Sequence, residues 1–134
     1  MNPPADSVRG PRWVLNLALA GSAVIHLVPL LVLQNAEMLS RLYGLAGPDP
    51  TSILLLQHRG AVFGLMGAML LIAIVWPAWR TPSLALVGAS DLIFLLLVLM
   101  AAPLGPELTR VAAYDVLSLL LLAYAAWATL TRRS

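Results

Sequence analysis

Ionisable side chains interrupt this apolar sequence at a small number of positions, and these residues could do chemistry. The segment LLLQHRGAVFG, residues 54–64, places Gln57, His58 and Arg59 side by side among aliphatic residues. Single ionisable residues also stand inside other long apolar stretches: His26, Asp91 and Asp115. A charged side chain at the centre of a bilayer costs about 2.5–3.5 kcal/mol on insertion scales, so such residues are candidates for a functional site. Imidazole and carboxylate groups transfer protons or bind metals, and a guanidinium holds anionic or carbonyl oxygens.

The composition predicts one membrane domain. Hydrophobic residues make up 60% of the 134 residues and charged residues 10%, with a mean hydropathy of +0.89. A soluble domain with this balance would have a largely apolar surface. Four apolar stretches approach the ~20 residues that a helix needs to cross the hydrocarbon core: 13–33, 53–76, 83–102 and 107–130. We predict an all-α fold, an integral membrane four-helix up-down bundle that forms a single transmembrane domain over residues 1–134.

The segment between the first two stretches predicts a short additional helix. In QNAEMLSRLYG, residues 34–44, the apolar side chains fall on one helical face and the charged Glu37 and Arg41 fall elsewhere. Such an amphipathic helix lies in the membrane interface, and Gly44 is suited to end it.

The distribution of arginine predicts the orientation in the membrane. Five arginines fall at one side of a four-helix serpentine: Arg9, Arg12, Arg80, Arg132 and Arg133. The other side holds Arg41 and Arg110 together with three acidic residues. By the positive-inside rule both termini are cytoplasmic. The excess of Ala, Leu, Gly, Pro and Arg, with no Lys, is typical of a GC-rich bacterial genome, which predicts a bacterial inner-membrane protein.

Composition also excludes several classes of function. The arginines are spread by topology rather than gathered into a basic patch, so nucleic-acid binding is not expected. The sequence contains no cysteine, which excludes disulfides and thiolate metal sites. The bilayer is the predicted environment, and a lipid-like small molecule is a candidate partner.

Distances along the helices predict that several ionisable residues lie at one depth in the bundle. His26, His58, Arg59 and Asp115 lie roughly 7–10 Å below the outer surface at 1.5 Å per residue. Because helix one borders helices two and four in an up-down bundle, His26 is expected to face Asp115 and His58. Asp91 lies deeper, within reach only of a long arginine. The predicted ligand-binding residues lie in the outer half of the bundle: His26, His58, Arg59, Asp115, Asp91, Tyr114 and Gln57.

Several functions fit such a layer. It could bind the head group of a lipid, quinone or isoprenoid, with Arg59 on an anionic or carbonyl oxygen. It could instead only lock helix packing in an accessory subunit of a membrane complex, as intramembrane polar residues often do. His26 and His58 could bind haem b or a metal, since imidazole is a common ligand for both. Proton-coupled transport is a further alternative, and would require an oligomer. No nucleophile or ligand spacing identifies a reaction, a catalytic residue or a cofactor, so enzyme status stays open.

Small residues recur on the second predicted membrane helix. Gly60, Gly64 and Ala68 are spaced four residues apart, and Gly67 widens the strip. Such a strip allows close approach of another helix backbone. We expect it to pack within the monomer, with a homodimer as the alternative.

Short motifs along the chain resemble a known family. They are H-L-x-P-L at 26–30, R-L-Y-G at 41–44, D-P at 49–50, L-L-x-H-R-x-x-x-F-G-x-x-G at 55–67 and R-V-x-x-x-D at 110–115. Together they resemble an uncharacterised family of small bacterial four-helix membrane proteins. The resemblance implies the fold and no mechanism. Some members are labelled phosphopantetheine adenylyltransferase, but this sequence has neither an α/β nucleotide-binding domain nor an H-x-G-H-type motif.

Overall fold

The described residues fold into five α-helices. The computed structural model describes residues 11–47, 49–101 and 103–131, and in these ranges all regular structure is helical. The helices are α1 (Arg12–Leu31), α2 (Ala36–Tyr43), α3 (Pro50–Val75), α4 (Arg80–Ala101) and α5 (Pro106–Leu130), with a short 3₁₀ turn at Pro77–Trp79. The predicted all-α fold is confirmed. Arg9, Arg132 and Arg133, on which the orientation partly depends, lie outside the described residues.

Four of these helices are long and apolar enough to span a membrane, so the chain is a multi-pass membrane protein. They are α1, α3, α5 and the continuous segment from the 3₁₀ turn through α4. All four start earlier than the sequence predicts: α3 at Pro50 and α4 at Arg80 by three residues, and α1 and α5 by one. Pro50 stands in the first turn of its helix, where the missing N–H of proline costs nothing.

Helix α2 lies at one end of the bundle, which we call the α2 end. Its amphipathic character is as predicted: Leu39 and Tyr43 are buried, while Glu37 and Arg41 form an exposed ion pair with a nitrogen–oxygen distance of 2.5 Å. Gly44 ends the helix in the left-handed conformation, with φ of 68°. A Cβ atom there would lie 2.8 Å from the Oε2 atom of Glu107 on α5. Glycine therefore permits both the backbone turn and the close approach to α5.

A side-chain cap fixes the start of α3. The Oδ1 atom of Asp49 accepts hydrogen bonds from the backbone N–H groups of Thr51 and Ser52, at 2.9 and 3.1 Å. Its Oδ2 atom accepts from the Ser52 hydroxyl at 2.6 Å. The hydrogen bonds from Ser52 hold the pKa of Asp49 below its ordinary value of 3.8. These hydrogen bonds satisfy backbone N–H groups in the first turn of α3 and fix where the helix begins.

The four long helices pack as a square. Helix α1 packs against α3 and α5, and α4 packs against α5 and α3, so α1 and α4 face each other along a diagonal. The apolar core occupies the half of the bundle away from α2, and its fully buried large side chains are Leu15, Leu19, Leu70 and Val87. The half nearer α2 contains the ionisable residues instead.

The glycine strip of α3 lies against α1. A Cβ atom at Gly67 would lie 2.9 Å from the carbonyl oxygen of Ala23, and one at Gly60 would lie 3.0 Å from that of Pro29. At Gly64 the nearest atoms belong to the side chain of Leu30, at 2.7 Å. Ala68 is only half-buried. The three glycines therefore bring two helix backbones together inside the monomer.

Candidate functional site

His26 is the centre of the polar half. It lies on α1 with 1% of its surface exposed. Its Nδ1 atom donates a hydrogen bond to the backbone oxygen of Ser22, one turn earlier, at 2.8 Å. Its Nε2 atom lies 3.0 Å from the Oδ1 atom of Asp91 on α4, which is equally buried. A single hydrogen bond thus joins the two helices that are diagonal neighbours.

The partners of His26 define its protonation. A carbonyl oxygen only accepts, so Nδ1 carries a hydrogen. One further proton must lie between Nε2 and Asp91, since two acceptors cannot share a hydrogen bond. The pair is therefore either imidazolium with carboxylate or imidazole with carboxylic acid. Both arrangements have zero net charge, and charge neutrality favours burial in an apolar bundle.

A second polar contact joins α1 to α5. The hydroxyls of Ser22 and Ser118 share a hydrogen bond of 2.8 Å between two fully buried side chains. Ser118 stands one helical turn after Asp115, whose side chain is 3% exposed. We call the set Ser22, His26, Asp91, Asp115 and Ser118 the polar layer.

Asp115 has unused hydrogen-bonding capacity. Its Oδ2 atom is buried and has no hydrogen-bond partner in the part of the chain that the structure describes. It interacts electrostatically with Asp91, Arg59 and His26. A carboxylate oxygen that is buried without a partner is costly and calls for an explanation, such as a catalytic role or a bound water or ion.

Arg59 lies among aromatic rings. Its guanidinium carbon is 4.3 Å from the ring centre of Phe94, 4.9 Å from that of Phe63 and 5.7 Å from that of Tyr43. Its Nε and Nη2 atoms are buried without a hydrogen-bond partner within residues 11–47, 49–101 and 103–131. Cation–π attraction to three rings and the nearby Asp115 compensate part of its burial.

A pocket of about 390 Å³ opens beside the polar layer. His26 and Asp115 lie at its polar part, and its lining is otherwise largely apolar or aromatic, with Val24, Val28, Pro29, Phe63 and Val111 among the contributors. Tyr43, Tyr114 and Arg110 complete the polar edge. Since Val24, Val28 and Tyr114 are exposed on α1 and α5, the pocket is accessible from the membrane side. Ligand pockets commonly have this volume and this combination of apolar walls and few polar groups.

Comparisons with family models, curated proteins and solved structures found no match to this chain.

The hydrogen-bond partner of His26 differs from the prediction, although Asp115 does lie near His26. The sequence placed His26 against Asp115 and His58, with Asp91 too deep to reach it, whereas His26 bonds to Asp91. The reason is side-chain direction: side chains lean toward the N-terminus of their helix. On α1 this direction leads away from the α2 end, so His26 extends toward the deeper Asp91.

The same rule separates the residues of α3. This helix starts at the α2 end, so its side chains lean back toward that end. Arg59 reaches Tyr43 of α2, and the amide of Gln57 donates to the backbone oxygen of Leu33 at 3.0 Å. Gln57 therefore supports the connection after α1 and is not part of the pocket lining. His58 is exposed on the outer face of α3, away from the predicted layer.

Aromatic residues are the part of the site that the sequence prediction missed. The chain contains two phenylalanines, and both lie over Arg59. Phe63 follows Arg59 by four residues, a spacing that places both on one helix face and could have indicated the contact. No signal of this kind identifies Phe94, because it approaches from another helix.

The residues present do not fit a haem or metal held by two histidines. Both ring nitrogens of His26 are already engaged, and His58 points away on the outer face of α3. In the described ranges, no group of three or more His, Cys, Asp or Glu side chains could hold a metal ion.

Proposed function

We propose that this chain binds the head group of a lipid-like amphiphile, such as a lipid, a quinone or an isoprenoid, in the pocket beside the polar layer. The observation that carries the proposal is Asp115, a buried carboxylate with a free oxygen at the polar part of an otherwise apolar pocket. The pocket opens between α1 and α5 toward the membrane, where a water-soluble ligand is scarce and an amphiphile is already present. No reaction is assigned to the site.

The proposed setting is the inner membrane of a bacterium, with both termini cytoplasmic and the α2 end facing the periplasm. Arg12 and Arg80 lie at the opposite end from α2, where the positive-inside rule places the cytoplasm. In this orientation the pocket opens toward the outer leaflet. The motifs at 26–30, 55–67 and 110–115 support membership of the small four-helix family that they resemble, with residues 1–134 as one transmembrane domain.

A structural role is the competing proposal, and one specific observation favours it. The His26–Asp91 bond ties the diagonal helices, and the Ser22–Ser118 bond ties α1 to α5. Such contacts could serve only to fix helix register in an accessory subunit. Under this alternative the pocket is an incidental gap that adopts no defined ligand.

The test uses a pair of matched variants on α5. Val111 lines the pocket, so Val111→Phe should fill it, whereas Val116 is exposed outside the pocket and Val116→Phe should not. Both proteins and the unaltered chain are purified in mild detergent, and co-purifying lipids and quinones are quantified by mass spectrometry. We expect one amphiphile class at fixed stoichiometry, lost in Val111→Phe and retained in Val116→Phe. Equal lipid content in all three proteins would favour the structural role.

A further inference from the structure

We infer that the pocket recognises its amphiphile through a neutral hydroxyl group that donates a hydrogen bond to Asp115. This inference rests on the proposed function and specifies the chemistry of the head group. It follows from the charges of the buried groups and from the donors and acceptors that remain unused at the pocket.

The first step is the charge of Asp115. The His26–Asp91 pair has zero net charge in either protonation arrangement, because one proton lies between them. Arg59 is always charged in proteins. Asp115 interacts electrostatically with Arg59, and the group formed by His26, Asp91, Arg59 and Asp115 is neutral overall only when Asp115 is a carboxylate. An ionised carboxylate accepts hydrogen bonds and donates none.

The second step is the set of partners that the pocket offers. His26 has no free ring nitrogen, since both are engaged with Ser22 and Asp91. Among the described side chains that line the pocket, Asp115 Oδ2 is thus the buried acceptor that has no partner. Burial raises the pKa of Tyr43 above its ordinary value of 10.0, while the nearby Arg59 cation acts in the opposite direction. Its hydroxyl therefore stays protonated, as a neutral edge of the pocket.

The third step is what these partners reject. A phosphate or carboxylate in contact with Asp115 would meet a carboxylate in an apolar setting, where like charges repel strongly. Arg110, the cation at the edge of the pocket, is exposed, so it offsets this repulsion less than a buried cation would. A quinone carbonyl would bring an acceptor against an acceptor. An ammonium head would add a charge to a cluster that is already neutral. A hydroxyl satisfies Asp115 and adds no charge. A polyprenyl alcohol and a quinol are two membrane molecules that carry one.

The experiment compares matched ligands on the unaltered protein. Geranylgeraniol is compared with its methyl ether, and decylubiquinol with decylubiquinone; each pair differs in the ability to donate. The unaltered chain is preferred because Asp115→Leu would leave Arg59 without a counter-charge and disturb folding. Binding is measured by native mass spectrometry and by the shift of Tm in detergent. The hydroxyl member of a pair should bind at least about tenfold more tightly, as expected for a hydrogen bond to a charged acceptor.

The outcomes separate this inference from the function on which it rests. A preference for geranylgeraniol over its ether points to a polyprenyl alcohol, and a preference for decylubiquinol over decylubiquinone points to a quinol. Equal binding within both pairs, lost in Val111→Phe, would overturn the hydroxyl inference and leave the pocket function standing. Binding that Val111→Phe leaves unchanged would overturn both. No binding of either hydroxyl compound would also overturn the hydroxyl inference.

Discussion

His26 and Asp91 share one proton across the diagonal of the bundle, and this contact sets the first prediction. His26→Leu leaves the buried Asp91 without a donor, and we expect the free energy of unfolding to fall by about 1–3 kcal/mol. The measurement is Tm and reversible unfolding in mixed detergent micelles. The double variant His26→Leu/Asp91→Leu removes both polar groups and should recover most of the loss, because paired apolar replacements are often tolerated. A double variant less stable than His26→Leu would contradict this account.

A second prediction concerns the side chain of Arg59. Arg59→Lys keeps the charge but loses the planar group that stacks on Phe94 and Phe63. We expect stability to fall by about 0.5–2 kcal/mol, the range of cation–π contributions. His58→Gln, an exposed neighbour, is the matched control and should leave Tm unchanged. An equal fall in both variants would mean that the rings do not hold Arg59.

Glycines at the contact between α1 and α3 let the two helix backbones approach closely. Gly67→Ala would place a Cβ atom 2.9 Å from the backbone oxygen of Ala23, which cannot rotate away. We expect the helices to separate and stability to fall by about 1–3 kcal/mol, as for other overpacked contacts. Gly88→Ala on α4 is the control, since no atom lies within 4 Å of a Cβ there. Thermal unfolding in detergent compares the two, and a Tm for Gly67→Ala at or above that of Gly88→Ala would contradict the close contact.

The molecule as a whole makes a prediction about orientation. Reporter fusions after residue 134 and within 80–82 should both report the cytoplasm, and a fusion at 46–47 should report the periplasm. The reason is that five of the eight arginines are predicted to fall at one side of the membrane. Each site is fused in turn to alkaline phosphatase and to a fluorescent protein, two reporters that respond to opposite sides of the membrane. A periplasmic C-terminus would mean that the arginine bias does not control insertion of this chain.

Sequence patterns predicted the architecture but not the partners within the site. The number of helices, the α2 segment and the concentration of ionisable residues in one half of the bundle follow from hydropathy and composition. A bilayer leaves few alternative folds. Contacts of single side chains depend on helix rotation and direction instead. His26 was assigned to Asp115 from depth and helix order, although the direction of α1 leads it to Asp91. Phe94 contacts Arg59 only because of the way α4 packs, and no pattern in a single sequence predicts that packing.

The diagonal hydrogen bond also has a consequence for how the protein is made. His26 enters the membrane with the first helix, and its acceptor is synthesised 65 residues later. Helix α4 carries Asp91 within the most hydrophobic of the four spans, and that hydrophobicity offsets the cost of inserting an acid. A ribosome stalled before α4 leaves an imidazole in the bilayer without its proton-sharing partner. Arrival of α4 therefore completes the proton-sharing pair, one helix before α5 completes the bundle.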